Sequence, residues 1–145
     1  MASANMMSAP AQVDQTMDVV VANLIRYLET GVAPDGLFAP HVFTDMSLPH
    51  WRIQATTAEE ILAVRAAAHP APGRVRVERV ERTEHGFTIE IEERWDHEGQ
   101  HWYCREMIRA DVAGQSIVDL SIYCTGDWDE ARQRAHAAAV QLVRT

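Results

Sequence analysis

The sequence predicts one α+β domain in which helices fold over a curved antiparallel sheet and keep a small-molecule pocket between the two layers. Three observations carry that expectation. The chain has 145 residues, the size of about one domain and enough to bury a core without disulfide or metal staples. Its N-terminal half repeats apolar residues at helical spacing, whereas everything from Val75 to Cys124 switches to a period of two. Breakers stand between these regimes, at Gly31, Pro34 and Gly36 and again at Pro70, Pro72 and Gly73. The domain is expected over residues 13–145, with residues 1–12 as a frayed N-terminal arm.

The first element is a helix with Val13, Met17, Val20, Val21, Leu24 and Leu28 on one side and Asp14, Asp18, Asn23, Arg26 and Glu29 on the other. Leu37 to Phe43 then forms a short apolar element that runs into Asp45 and the loop Ser47-Leu48-Pro49-His50-Trp51-Arg52. A second helix starts near Thr57, whose side chain caps it while Glu60 reaches back, and continues through Ile61, Leu62 and Val64. In the first clear strand Phe87, Ile89, Ile91, Glu93 and Trp95 share one face, and Thr88, Glu90, Glu92, Arg94 and Asp96 share the other. After the turn His97-Glu98-Gly99-Gln100, Trp102, Cys104, Glu106, Ile108 and Ala110 take the apolar side. A last strand offers Val118, Leu120, Ile122 and Cys124 to the core. Asp127 with Glu130 is expected to start a C-terminal helix packed through Trp128, Ala131, Ala135, Ala138 and Leu142.

Charge and composition exclude several partners. Twenty-one Asp and Glu against 13 Lys and Arg give a net charge of -8, which repels phosphate backbones and anionic headgroups, so neither nucleic acid nor membrane is an expected partner. No apolar run approaches the roughly 20 residues that cross a bilayer, and Met1 to Gln12 lacks the pattern of a secretion signal, which suggests a cytoplasmic protein. Cys104 and Cys124 lack CxxC spacing and are expected to be inert thiols. The seven histidines form no HxH or HExxH pattern, and no glycine-rich phosphate or dinucleotide motif occurs, so no metal and no cofactor is expected.

The residues that break the pattern are the informative ones. If the turn pairs Asp96 with His101, then Trp95 faces Trp102, Glu93 faces Cys104 and Ile91 faces Glu106, which makes two carboxylates diagonal neighbours on an apolar surface. A carboxylate buried there must raise its pKa or recruit a cation. Either the two line a pocket as acid, base or ligand partner, or one of them reaches Arg52, Arg65 or another strand residue as a structural ion pair.

The order helix, turn, Leu37-Phe38-Ala39-Pro40-His41-Val42-Phe43-Thr44-Asp45-Met46-Ser47-Leu48-Pro49, helix, then long strands ending Ile117-Val118-Asp119-Leu120-Ser121-Ile122-Tyr123-Cys124 resembles the NTF2-like superfamily, in its SnoaL-like and ketosteroid-isomerase-like branch. The resemblance spans about Val13 to Trp128. It implies a cone-shaped sheet wrapped around helices, a cavity at the wide end and a homodimer formed through the outer sheet face. It also implies Asp45 as the base and Glu106 as a neutral acid that donates to an oxyanion; the helix-borne tyrosine of the isomerases has no counterpart near Asn23. The functional expectation is a small cofactor-independent isomerase, cyclase or lyase acting on an apolar, polyketide-like carbonyl compound. Phe43, His50, Trp51, Arg52, Glu93, Trp95, Trp102 and Leu120 are then the ligand contacts. The alternatives are a non-catalytic binding or assembly module of the same fold, and an epoxide hydrolase using Asp45 with Arg52.

Overall fold

A computed structural model describes the backbone of residues 2–145 and the side chains of residues 15–145. The arm expected over residues 1–12 lies outside the described side chains. Helix α1 (Ala2–Thr30) buries Val20, Leu24, Tyr27 and Leu28, the i, i+4, i+7, i+8 stripe of an amphipathic helix. It stops at Gly31, whose φ of 75° lets its N–H turn back to the Tyr27 carbonyl at 2.8 Å. Helix α2 (Ala58–Ala68) is capped by Thr57, which accepts from Glu60 N at 3.1 Å. The Glu60 carboxylate reaches back one residue further than expected, to Thr56 N at 2.7 Å.

Six strands form one mixed sheet: β1 (Phe38–Ser47), β2 (Arg52–Ala55), β3 (Gly73–Arg82), β4 (Gly86–His97), β5 (Gln100–Ala113) and β6 (Ser116–Cys124), in the spatial order β2-β1-β6-β5-β4-β3. All neighbours run antiparallel except β1 and β6, which are parallel. The β4–β5 hairpin has the expected register, with Asp96 opposite His101, Trp95 opposite Trp102, Glu93 opposite Cys104 and Ile91 opposite Glu106. Its turn places Glu98 at φ 51° and Gly99 at φ 74°, the two left-handed positions that match strand twist in a type I′ turn.

The two helices α1 and α2 pack on one face of the sheet, and Phe87, Ile89, Ile91, Ile108, Leu120 and Ile122 rise from the strands to meet them. In β6 the register slips at Asp111 and Val112, so that Ile117 becomes the fully buried residue and Val118, expected in the core, is only half-buried. Helix α3 (Glu130–Ala139) is capped by Asp129 rather than Asp127 and buries none of its residues. The expected stripe fails because the helix ends before Leu142, which is exposed; the segment is anchored by paired backbone bonds of Trp128 with Tyr103 at 2.7 and 3.1 Å on the outer sheet face and by bonds of Glu130 and Gln133 to the His101 backbone at 2.9 and 2.8 Å. No helix among the described residues is long and apolar enough to cross a membrane.

Strand β4 starts under a tight steric limit. A Cβ on Gly86 would stand 2.0 Å from the Ala110 carbonyl oxygen, a backbone atom that cannot swing aside. Gly86→Ala should therefore lower the urea midpoint by an amount equivalent to about 1–3 kcal/mol with the m-value unchanged, and an unaltered midpoint would show that β4 and β5 can separate there.

Candidate functional site

Alternation along β4 and β5 carries Glu93, Cys104 and Glu106 onto the inner face, where Glu93 is 3% and Glu106 8% exposed. A single cation answers them. Arg65, on the α2 face that meets the sheet, donates Nη2 to Glu93 Oε1 at 2.5 Å and Nη1 to Oε2 at 3.0 Å, a two-point grip on the carboxylate. The same Nη2 donates to the Leu28 carbonyl at 2.8 Å, one of the orphan acceptors in the last turn of α1. The Cys104 thiol contacts Glu106 Oε1 at 3.4 Å and Glu93 Oε2 at 3.9 Å, and one ligand atom from each of the three residues lies within 4.8 Å of the others.

The two glutamates therefore hold one proton between them. Burial pushes Glu106 well above the usual carboxylate range, and its hydrogen bond to Glu93 and the charge on that neighbour push it the same way. Burial also acts to raise Glu93, but the hydrogen bond from Glu106 and the Arg65 guanidinium outweigh it, and Glu93 ends below its ordinary value. Glu93 is the carboxylate of the ion pair and Glu106 the neutral acid.

Glu106 lines a partly open cavity of about 100 Å³ between the helices and the sheet. Leu24, Tyr27 and Leu28 of α1, Ile61, Val64 and Ala68 of α2, and Phe38, Met46, Ile53, Ile108, Leu120 and Ile122 of the sheet make a mostly apolar wall, which the Arg65 side chain also reaches. His69, Cys124 and Asp127 close one end, with His69 Nε2 at 3.3 Å from Asp127 Oδ1. The buried Tyr27 hydroxyl has no hydrogen-bond partner, and burial pushes its pKa up to about 12. The wall thus presents two neutral O–H donors, Glu106 and Tyr27, in a setting with few competing acceptors.

No protein-family model and no curated protein matches the sequence. Solved structures do match in shape. An NTF2-like protein from Anabaena variabilis superposes with a TM-score of 0.65 at 14% identity, over 78% of this chain and 89% of that one. A protein with a ketosteroid isomerase-like fold from Catenulispora acidiphila, in complex with trimethylamine, gives 0.59 at 16% identity over 72% and 83%. An LEH-like epoxide hydrolase from M. tuberculosis gives 0.61 at 8% identity over 76% and 83%. The chain has the NTF2-like fold.

Within this NTF2-like fold the expected site residues divide sharply. Glu106 and Leu120 stand on the cavity wall, and Glu93 lies behind it, held by Arg65. Trp95 and Trp102 share the inner face but stack on one another at 6.4 Å beyond the cavity; Trp95 backs His69, with ring centroids 4.3 Å apart. Asp45 is misplaced in the sequence reading. In β1 it is Thr44, paired with Leu120, and Met46, paired with Ile122, that point inward, so Phe43 and Asp45 face out.

There Arg52 holds Asp45 through Nε at 2.9 Å and Nη2 at 2.6 Å, Gln54 adds a contact at 3.3 Å, and the Arg52 hydrogen bond keeps the carboxyl below its usual value. Arg52 is accordingly an outer-face partner of Asp45 and not a ligand contact. His50 and Trp51 are exposed in the β1–β2 turn, Trp51 to 73%, and touch no part of the cavity wall. Sequence reading missed Tyr27, His69 and Asp127. Tyr27 was legible as a member of the α1 stripe, adjacent to Leu28, but His69 and Asp127 follow the ends of α2 and β6 and meet only through the fold.

The shared proton has a thermodynamic signature. An unfolded Glu106 ionises near 4.5, while the folded one stays protonated well above that, so above 4.5 the native state holds the extra proton and stability falls as pH rises. Glu93 works oppositely: its contribution is present above the ordinary glutamate value and is lost as pH falls through the lowered one. Glu106→Gln keeps the neutral form at every pH. Its melting temperature should exceed that of the parent at pH 8 and converge with it toward pH 4.5, whereas parallel profiles would mean that Glu106 is ionised in the native state.

Proposed function

We propose that the cavity binds a compact, mostly apolar carbonyl compound and moves a proton next to its carbonyl group, the elementary step of isomerases and lyases. The observation that carries this reading is the buried, protonated Glu106 carboxyl on a mostly apolar wall, a donor suited to an oxygen that gains negative charge. Tyr27 supplies a second O–H donor on the same wall. With Asp45 on the outer face, the proton acceptor becomes His69, oriented by Asp127 at 3.3 Å. His69 removes the proton from the carbon beside the carbonyl, Glu106 and Tyr27 hold the enolate oxygen, and the proton returns from His69 to the same or a conjugated carbon.

Size restricts the substrate. A dry apolar cavity of about 150 Å³ accommodates a benzene ring. A partly open space of about 100 Å³ suits a compact group no larger than that ring, with any longer ligand extending through the open side. The Asp45–Arg52 pair faces away from the cavity, which removes the residues on which epoxide hydrolysis would depend. A binding module is favoured by one observation, the small volume of the cavity, and differs from the enzyme in a single measurable respect.

That respect is exchange. Cyclopentanone and cyclopent-2-enone should show saturation transfer from the protein, and in D₂O the wild type should exchange the protons beside their carbonyl groups. His69→Gln should slow exchange by about a hundredfold with binding retained, and Glu106→Ala should weaken both. Binding without exchange by the wild type would establish the binding module; no binding by either ketone would remove the carbonyl reading.

The chain forms a homodimer through its outer sheet face. Met107 and Tyr123 are cross-strand partners there, 41% and 62% exposed, and are flanked by the Arg105–Glu78 and Arg109–Asp119 ion pairs at 2.6 and 2.8 Å, an apolar centre with a polar rim. Tyr103, on the same outer row of β5 as Met107, is instead covered by Trp128. Light scattering at micromolar concentration should give twice the mass of the chain for the wild type and a single mass for Tyr123→Glu; a monomeric wild type would end this assignment.

A further inference from the structure

The two cysteines, apart by 20 residues in sequence, meet beside the end of the cavity that Cys124 and Asp127 line. Cys104 comes from the middle of the inner face of β5, Cys124 from the last position of β6, and Asp127 from the loop that follows. The two Sγ atoms and a carboxylate oxygen of Asp127 all lie within 4.8 Å of one another. Around one zinc-like ion, with bonds of roughly 2.3 Å to sulfur and 2.0–2.2 Å to oxygen, tetrahedral neighbours stand roughly 3.5–3.8 Å apart, so the three need only small rotations to converge.

The loop that brings Asp127 back is built for that position. Gly126 adopts φ 78°, and its N–H donates to Cys124 Sγ at 3.4 Å, which folds the chain over the thiol. A side chain at Gly126 would meet Pro49 Cγ and Cδ at 3.1 and 3.2 Å, so the turn is also clamped from outside. Two residues separate Cys124 from Asp127, the short ligand spacing that structural zinc loops use. Asp127 is spared from capping α3, because Asp129 does that, and the contact it does make, with His69, orients a carboxylate in the way outer groups orient metal ligands.

We propose that Cys104, Cys124 and Asp127 bind one borderline-soft divalent ion of the zinc class, with its fourth position open to the cavity. The site does not depend on the carbonyl reading. A second cluster, Glu93 with Cys104 and Glu106, is poorer, since Arg65 already occupies Glu93 and Glu106 keeps its proton. On binding, each thiol gives its proton to solvent and the two thiolates and the carboxylate donate electron pairs to the ion, with no change of oxidation state. The complex carries one negative charge, and the Arg65 guanidinium lies beside Glu93, next to Cys104.

The test is a titration of the reduced, full-length protein with Co²⁺ under anaerobic conditions. One equivalent should develop a near-ultraviolet thiolate-to-cobalt charge-transfer band and the intense visible bands of tetrahedral cobalt, and Zn²⁺ should displace both. Cys124→Ser should lose the charge-transfer intensity, and Asp127→Asn should bind at least about tenfold more weakly while its metal-free melting temperature stays that of the parent. Zn²⁺ should raise the melting temperature of the wild type and not of Asp127→Asn. Wild-type protein without the visible bands, or with affinity unchanged in both variants, would overturn the site. So would thiol titration showing that the sulfurs pair as a disulfide under conditions where the reduced form takes up no ion. Failure here leaves the ketone-binding experiment untouched, because Glu106 and Tyr27 are not ligands.

Discussion

The Arg65 guanidinium is the constraint on which the interior depends. It sits between α1, α2 and β4, bonded at once to the Leu28 carbonyl and to both oxygens of Glu93. Burial works against its charge, but the Glu93 carboxylate more than compensates and Arg65 remains ionised. An ion pair taken this far from water contributes little net stability against an apolar replacement of the same shape, yet removing one partner alone costs about 3–5 kcal/mol. Its value here is positional: it fixes the distance of two helices from the sheet. It also commits Glu93 to the charged form, and that charge is part of what keeps the neighbouring Glu106 protonated.

The polar equipment of the cavity therefore follows from structural electrostatics rather than from a separately built catalytic centre. A neutral carboxylic acid on an apolar wall is a costly group in isolation, and here the Glu93 oxygens accept part of its hydrogen bonding. Tyr27, three residues from Leu24 on the same helix stripe, shares that apolar surface but has no partner for its hydroxyl. A buried donor left unsatisfied by the protein is the kind of group that a ligand oxygen completes.

Much of this was legible in the sequence, and the residues show why the rest was not. Alternation over Phe87 to Trp95 and Trp102 to Ala110, joined by a turn with Gly99, determined register and hence the facing of Glu93 and Glu106, because a period of two leaves no freedom once one face is apolar. Arg65 was named as one possible partner of the buried acids, but distance along the chain could not choose it over Arg52. Asp45 went wrong because Leu37 to Phe43 is a run without strict alternation, so its facing came from a resemblance and not from parity. The end of the cavity was invisible for a different reason: His69, Cys104 and the Cys124–Asp127 turn belong to three separate segments, and only the pairing of β5 with β6 under α2 brings them together. Local rules also favoured Asp127 as a helix cap, when Asp129 two residues later satisfies the same preference.

The parallel pairing of β1 with β6 has a consequence for how the chain reaches this state. Phe38 lies beside Ile117, the Ile117 N–H bonds to the Leu37 carbonyl at 2.7 Å, and Ser116 Oγ donates to the Gly36 carbonyl across a separation of 80 residues. During synthesis, β1 and β2 can form only a lone hairpin, and a two-stranded ribbon is marginal by itself. The antiparallel neighbours β3, β4, β5 and β6 follow one another through local turns, β6 starting at Ser116 directly after β5 ends at Ala113. Joining the two halves waits for β6, a pairing of segments separated by 80 residues, and contacts of that separation slow folding in general. Until then one side of β1 presents unpaired backbone groups next to Val42 and Phe38, the segment most exposed to capture by another nascent copy or by a chaperone.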